Sequence, residues 1–342
     1  MIFHYKCPSC GSDMSFDADS GELSCQSCGR QESIENYPEE LRRATFSEDE
    51  TNEYQCDNCG AVLITTAETA ATSCSFCGAG VVIANRLSGH LAPTKVIPFT
   101  ISKEEATEAF KKWCRKGLLT PKGFMIADRI KSITGMYVPF WLFDLNSKVQ
   151  VNATCTKVRT YTKGEYIYTE TNYYDVFRDI NLDYVKIPVD ASEKMHDDLM
   201  DKLEPYPYDQ LKDFKTPYLA GFIAEKYNYT DDELFPRAKD KINDYIESYI
   251  RSTFLGYQSV NYKNKQIDTR NVSSYYVLLP VWMVSYDFNQ AEHVFAMNGQ
   301  TGKVVGKPPI SSGKVAMWFS GIAAGTFIAL KCTSYLMGGG FW

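Results

Sequence analysis

At 342 residues, with 44% hydrophobic residues and a formal net charge of -6, the chain is long enough for two or three domains with a sizeable core. The charge is uneven: residues 1–80 hold four Lys/Arg against fourteen Asp/Glu, a balance of -10, and the remainder carries +4. That acidity argues against a polyanionic partner, because nucleic-acid binding relies on Lys and Arg to neutralise phosphates.

The acidic region is built on two cysteine arrays. Cys7 and Cys10 are followed after fourteen residues by Cys25 and Cys28, and Cys56, Cys59, Cys74 and Cys77 repeat the spacing. Tyr5 matches Tyr54 and Ser24 matches Ser73 at the same offset, the mark of a duplication. Glycine follows the second cysteine of every knuckle (Gly11, Gly29, Gly60, Gly78), where a tight turn needs positive φ and backbone amides face thiolate sulfur. Four thiolates per array suit a tetrahedral soft cation, so the reading is two tandem zinc ribbons holding two structural Zn2+. A rubredoxin-like iron site would use the same ligands, and disulfides are disfavoured in the cytosol. With every ligand supplied by protein, no position is left for a catalytic water. Ribbon 1 is assigned to residues 1–33, an acidic linker to 34–53 and ribbon 2 to 54–84. The linker reads as solvated chain, with a short helix around 38–44 as the alternative. Val81 to Ala84 reads as the last strand of the second ribbon.

Residues 85–310 read as an α+β domain with an antiparallel sheet. Ser102 and Glu105 form a capping box ahead of a helix carrying Ala106, Ala109, Phe110 and Trp113. YVPFWLFD, from Tyr137 to Asp144, is an apolar run too short for a buried helix, and the alternation from Lys148 to Val189 predicts strands. The pattern then recurs. Thr230 and Glu233 cap a helix striped by Leu234, Ala238, Ile242, Tyr245, Ile246, Tyr249 and Ile250, and LLPVWMVSYDF repeats Pro-x-Trp at Pro280 and Trp282. Two halves of similar plan predict a pseudo-duplicated domain, with the Trp rings in the junction and each proline at an edge or bulge. Asn298 to Gly302 reads as a turn.

Val315 to Leu330 carries no charge over sixteen residues. A helix is assigned to 314–337, in which Val315 to Met337 alone would extend about 34 Å, enough to cross a hydrocarbon core of about 30 Å. Trp318 at one end with Tyr335, Phe341 and Trp342 at the other resembles an aromatic belt, and Lys303, Lys307 and Lys314 place the bulk of the chain in the cytosol. A buried helix of a soluble protein is the alternative. Gly321 and Gly325 offer a G-x-x-x-G face for homo- or hetero-oligomers. The four histidines stand apart from any catalytic motif, and Cys114, Cys155 and Cys332 lack the marks of a nucleophile, so no catalytic residue is assigned.

The cysteine arrays, VIPF at Val96 to Phe99, the two Pro-x-Trp segments, NGQTGKVVG at Asn298 to Gly306 and the apolar tail together resemble a bacterial family of membrane-anchored zinc-ribbon proteins of the YdjG type. The resemblance implies an accessory role at the inner face of the cell membrane in envelope stress. Its implied partners are phage-shock-protein-A-like coat proteins and flotillin-like membrane proteins. The expectation is a non-enzymatic adaptor; a nucleic-acid-binding ribbon protein and a membrane-bound enzyme with a pocket between the halves are the alternatives.

Overall fold

The computed structural model describes residues 2–37, 42–45, 53–55, 62–64, 69–73, 80–83, 92–115, 117–121, 124, 130–288 and 291–336. In chain order the first nine strands are β1 (Ile2–Tyr5), β2 (Met14–Asp17), β3 (Glu22–Cys25), β4 (Gln31–Glu32), β5 (Arg42–Thr45), β6 (Glu53–Gln55), β7 (Val62–Ile64), β8 (Thr69–Ser73) and β9 (Gly80–Ile83). The body follows with β10 (Lys95–Val96), α1 (Lys103–Arg115), β11 (Ile130–Lys163), β12 (Tyr166–Asp190), α2 (Asp197–Leu203), β13 (Lys212–Asp213), β14 (Ile223–Glu225), α3 (Asp231–Ser252), β15 (Ser259–Phe288), β16 (Ala291–Asn298) and β17 (Val304–Val305). The chain closes on α4 (Ser312–Leu336). The fold is mixed α+β, with one large sheet and an apolar C-terminal helix.

The region read as two tandem ribbons and a linker contributes four strands to that sheet, while β2, β3 and β4 form a small sheet and β6 and β7 a pair of their own. β8 pairs with β14 of the body and with β9, β9 pairs with β1, and β1 pairs with β5. Arg42–Thr45, expected as solvated linker or helix, is therefore a strand. The strand expected at 81–84 is β9.

At the centre, β11 and β15 run antiparallel from Ile130↔Tyr286 to Thr156↔Ser259. Corresponding features flank them. β14 lies parallel to β11 at Met136 and Tyr137, and β10 lies parallel to β15 at Val277 and Leu278. Each short strand leads to a capping box: Glu105 N–H donates to Ser102 Oγ (3.3 Å) and Glu233 N–H to Thr230 Oγ1 (3.4 Å). Trp141 Nε1 donates to Tyr229 O (2.9 Å) and Trp282 Nε1 to Ile101 O (3.0 Å), so both indoles tie a strand to the chain entering a helix. Ala191 N–H donates to Pro139 O (3.0 Å) and Gly299 N–H to Pro280 O (2.9 Å).

Those prolines were expected at an edge or a bulge, yet both stand in central strands. Pro139 lies where β11's neighbour changes from β14, which pairs up to Tyr137, to β12, which pairs from Phe140. Pro280 lies at the matching step between β10, ending at Leu278, and β16, starting at Val281. A residue's N–H and C=O face the same neighbour, and at these steps no ladder partner waits for the missing N–H.

An aromatic cluster packs against these central strands. Phe99 stacks on Phe222 with centroids 4.2 Å apart and meets Tyr137 and Trp282 edge-on, each at 5.1 Å. Gly299 closes the same cluster, since a Cβ there would stand 2.7 Å from Phe99 and 2.8 Å from Pro280. Gly299→Ala should cost about 1–3 kcal/mol through overpacking, read as a lowered urea midpoint at unchanged slope.

β11 and β12 continue past β15 as a long hairpin arm turning at Gly164 (φ 67°). α3 covers one face, with Leu234, Ala238, Ile242, Ile246 and Ile250 buried on Val149, Val151, Ala153 and Val176. Tyr245 and Tyr249, counted with that stripe on spacing, are exposed. The base of α4 is tied to the body by Ser311 N–H to Leu119 O (2.9 Å) and Lys314 Nζ to Thr120 O (2.7 Å). Beyond that base the apolar side chains are exposed; Phe319 is 74% and Leu330 69% accessible.

Candidate metal centre

The first array closes into one site. β2 and β3 form an antiparallel pair between the knuckles, and the Sγ atoms of Cys7, Cys10, Cys25 and Cys28 all lie within 4.8 Å of one another. The cross-knuckle pairs Cys7–Cys28 and Cys10–Cys25 are each 3.5 Å apart. A tetrahedron of sulfurs about 2.3 Å from zinc has edges of about 3.8 Å, so the four thiols fit the ion. Gly11 and Gly29 hold φ of 73° and 74°, the left-handed turn that an alanine would resist. Backbone amides supply the surrounding hydrogen bonds, from Ser9 and Cys10 to Cys7, from Ser12 to Cys10 and from Arg30 to Cys28. The Ser12 hydroxyl, then its amide, then Cys25 pull the Cys10 thiol down to about 6, while, against the Arg30 amide, the sulfurs of Cys7, Cys10 and Cys25 push Cys28 up to about 12, the opposed shifts of thiols crowded into one cluster. Cys56, Cys59, Cys74 and Cys77 lie outside the described residues.

The inner pair, Cys7 and Cys25, is buried, while Cys10 and Cys28 are exposed. One wall of the ribbon packs on the body. Phe16 meets Tyr218 at 5.6 Å and Phe222 at 6.2 Å, its amide donates to Ala220 O (2.8 Å), and Tyr5 Oη donates to Thr216 Oγ1 (2.6 Å). Lys215 adds an ion pair with Glu35. Sequence spacing singled out the four cysteines that the fold gathers but not this contact, since Phe16 sits on an ordinary two-residue alternation and its partners are some two hundred residues away.

The remaining cysteines of the body fit a packing role. Cys114 is buried on α1 and burial pushes its thiol up to about 11; Cys155 is buried beneath α3.

A four-cysteine zinc ribbon joined to an α+β body and an apolar terminal helix defines the class. Residues 5–46 match the family described as TFIIB zinc-binding. The whole chain is 74% identical over 341 residues to the uncharacterized protein YdjG of Bacillus subtilis (strain 168), with all of both chains covered. The chain belongs to the YdjG family. No solved structure matches it.

Proposed function

We propose that the protein is a non-enzymatic membrane adaptor, carried by one observation above the rest: a 25-residue apolar helix that the fold leaves exposed. At about 1.5 Å per residue α4 is about 37 Å long, and burying its side chains in a bilayer removes an apolar surface that water disfavours. Lys303 and Lys307 precede it and Lys314 stands in its first turn, which favours a cytosolic body at the inner face of the cell membrane. In this reading the helix is a single-pass anchor, and Gly321 and Gly325 offer it a face for pairing.

The body is read as two halves of one plan, supported by the matched tryptophan bonds, the matched capping boxes and the paired prolines. The second array, Cys56, Cys59, Cys74 and Cys77, is read as a second zinc site on its repeated spacing. The acidic ribbon region then faces a cytosolic partner with a basic surface. A phage-shock-protein-A-like coat protein, in the company of a flotillin-like membrane protein, is the partner this reading names for envelope stress. The aromatic cluster packed against the central strands weighs against an enzyme pocket between the halves.

Two arms test the reading. Full-length protein should remain in the membrane pellet after alkaline carbonate, and a chain ending at Lys314 should move to the supernatant. The coat protein should be recruited to vesicles by the full chain and lost with Cys7→Ser plus Cys56→Ser; recruitment that survives both changes sinks the docking role. The likeness of residues 5–46 to a TFIIB ribbon is the observation for a nucleic-acid reading. It requires affinity that falls steeply with salt.

A further inference from the structure

We propose that an open cleft bounded by α2, the start of α3 and the β16–β17 end of the sheet receives the phosphate and primary amine of a phosphoethanolamine group, the inference resting on α4 being a membrane anchor. The cleft encloses about 910 Å³, room for a headgroup of this size. Ser192 and Leu234 form buried parts of its wall.

Its charges sort by what already holds them. Asp197 is paired with Arg237 (2.6 Å), which is also fixed by Asp201 (3.0 Å), and the Glu233 carboxylate caps α3 through Thr230 N–H (2.8 Å). Lys202 and Lys307 also line the cleft and have no ion-pair partner among the described residues. With the anchored Arg237 they present a cationic set for a phosphodiester. Glu193 and Asp198, likewise lining residues, supply acceptors for an ammonium. A simple anion would meet those carboxylates unfavourably; a zwitterion uses both signs.

Position selects the lipid source. Lys307 is five residues before Ser312, where α4 begins, so the cleft wall lies within about 18 Å of the helix entrance even along a fully extended chain. A wall tethered this close to the anchor is held near the headgroup layer when α4 spans the bilayer, and basic side chains near the surface strengthen the encounter.

The test is native mass spectrometry of the full chain released from nanodiscs containing phosphatidylethanolamine, phosphatidylglycerol and phosphatidylcholine. Retained phosphatidylethanolamine should exceed the other two, and Lys202→Glu with Lys307→Glu should lower its retention by about tenfold or more. Glycerophosphoethanolamine added in solution distinguishes the sources. Binding of that compound by lipid-free protein, lost in the same variant, supports the site with a soluble occupant. Lipid retained only from the bilayer supports the headgroup. Equal retention by the variant and the unchanged chain, or no preference among the three lipids, overturns the site. Carbonate extraction of the unchanged chain separately reports the anchor, and unaltered zinc content with an unaltered thermal midpoint shows that the variant is folded.

Discussion

Replacing Cys25 with serine should remove the metal from the first ribbon and loosen that ribbon from the body. Cys25 is fully buried and its sulfur stands 3.5 Å from Cys10, so the hydroxyl cannot take up the lost coordination from outside the cluster. A ribbon this small depends on its metal, which contributes on the order of 10–16 kcal/mol in zinc peptides. Zinc content of the full chain in detergent, read by metal analysis after desalting, should therefore fall. The size of the fall also separates one site from two. Loss of half the metal places the rest in the second array, and loss of all of it leaves the first array as the zinc site. Cys114→Ser should leave zinc unchanged, because that thiol lies on α1 away from the cluster. Undiminished zinc in Cys25→Ser would refute the assignment.

The consequence for the body follows from Phe16. Its ring reaches Phe222, and Phe222 stacks on Phe99 in the central cluster, so the metal-dependent ribbon is one wall of the main core. Limited proteolysis of Cys25→Ser should open cleavage within residues 12–36 first and shift the thermal midpoint of the whole chain as well. A free-standing ribbon would show the first effect alone. The packed wall also narrows where a partner can dock, because Glu35 and Asp13 are engaged with Lys215 and Lys6, whereas the turn after β2 remains open to solvent.

The parts legible in the sequence are those whose physics is local. A knuckle needs two cysteines and a glycine in a few residues, a capping box needs two side chains three apart, and an apolar helix announces itself by length. The Pro-x-Trp pair was also visible, although its expected edge position was not correct, since which neighbour a strand residue faces depends on segments such as β14 and β16 far away in the chain. Arg42–Thr45 illustrates the same limit: its four residues show no apolar alternation, and β1 supplies the pairing. Tyr245 and Tyr249 followed the helical period but fall beside the buried i, i+4 row of Leu234, Ala238, Ile242, Ile246 and Ile250 and stay exposed. The cleft beside α2 had no signature, because its walls come from three separated segments.

At pH 8, Asp190→Asn should stabilise the full chain by about 2–4 kcal/mol, and the gain should disappear in acid. Asp190 is 1% exposed at the end of β12. One oxygen, Oδ1, accepts from Ser192 N–H (3.1 Å), while Oδ2 has no hydrogen-bond partner among the described residues. Burial pushes its carboxyl up to about 7, opposed in part by the Ser192 amide and by Arg237. The unfolded group titrates near 3.9, so between about 4 and 7 the folded chain holds a proton that the unfolded chain has released. Stability from this group is therefore complete below about 4 and declines as pH rises through about 7. Asn298, which pairs with Val281 just after Pro280 as Asp190 pairs with Phe140 just after Pro139, is instructive, because it accepts from Gln300 N–H (2.9 Å) and donates its amide to Leu203 O (3.1 Å). An amide at 190 keeps the shape, accepts from Ser192 and carries no charge to bury, so the gain exceeds the smaller cost of its two buried N–H donors. Urea unfolding of both proteins across pH 4 to 8 isolates the effect as their difference, since other titrating groups cancel. A difference that does not change with pH would show that Asp190 is ionised at no cost in the folded chain and would remove the explanation.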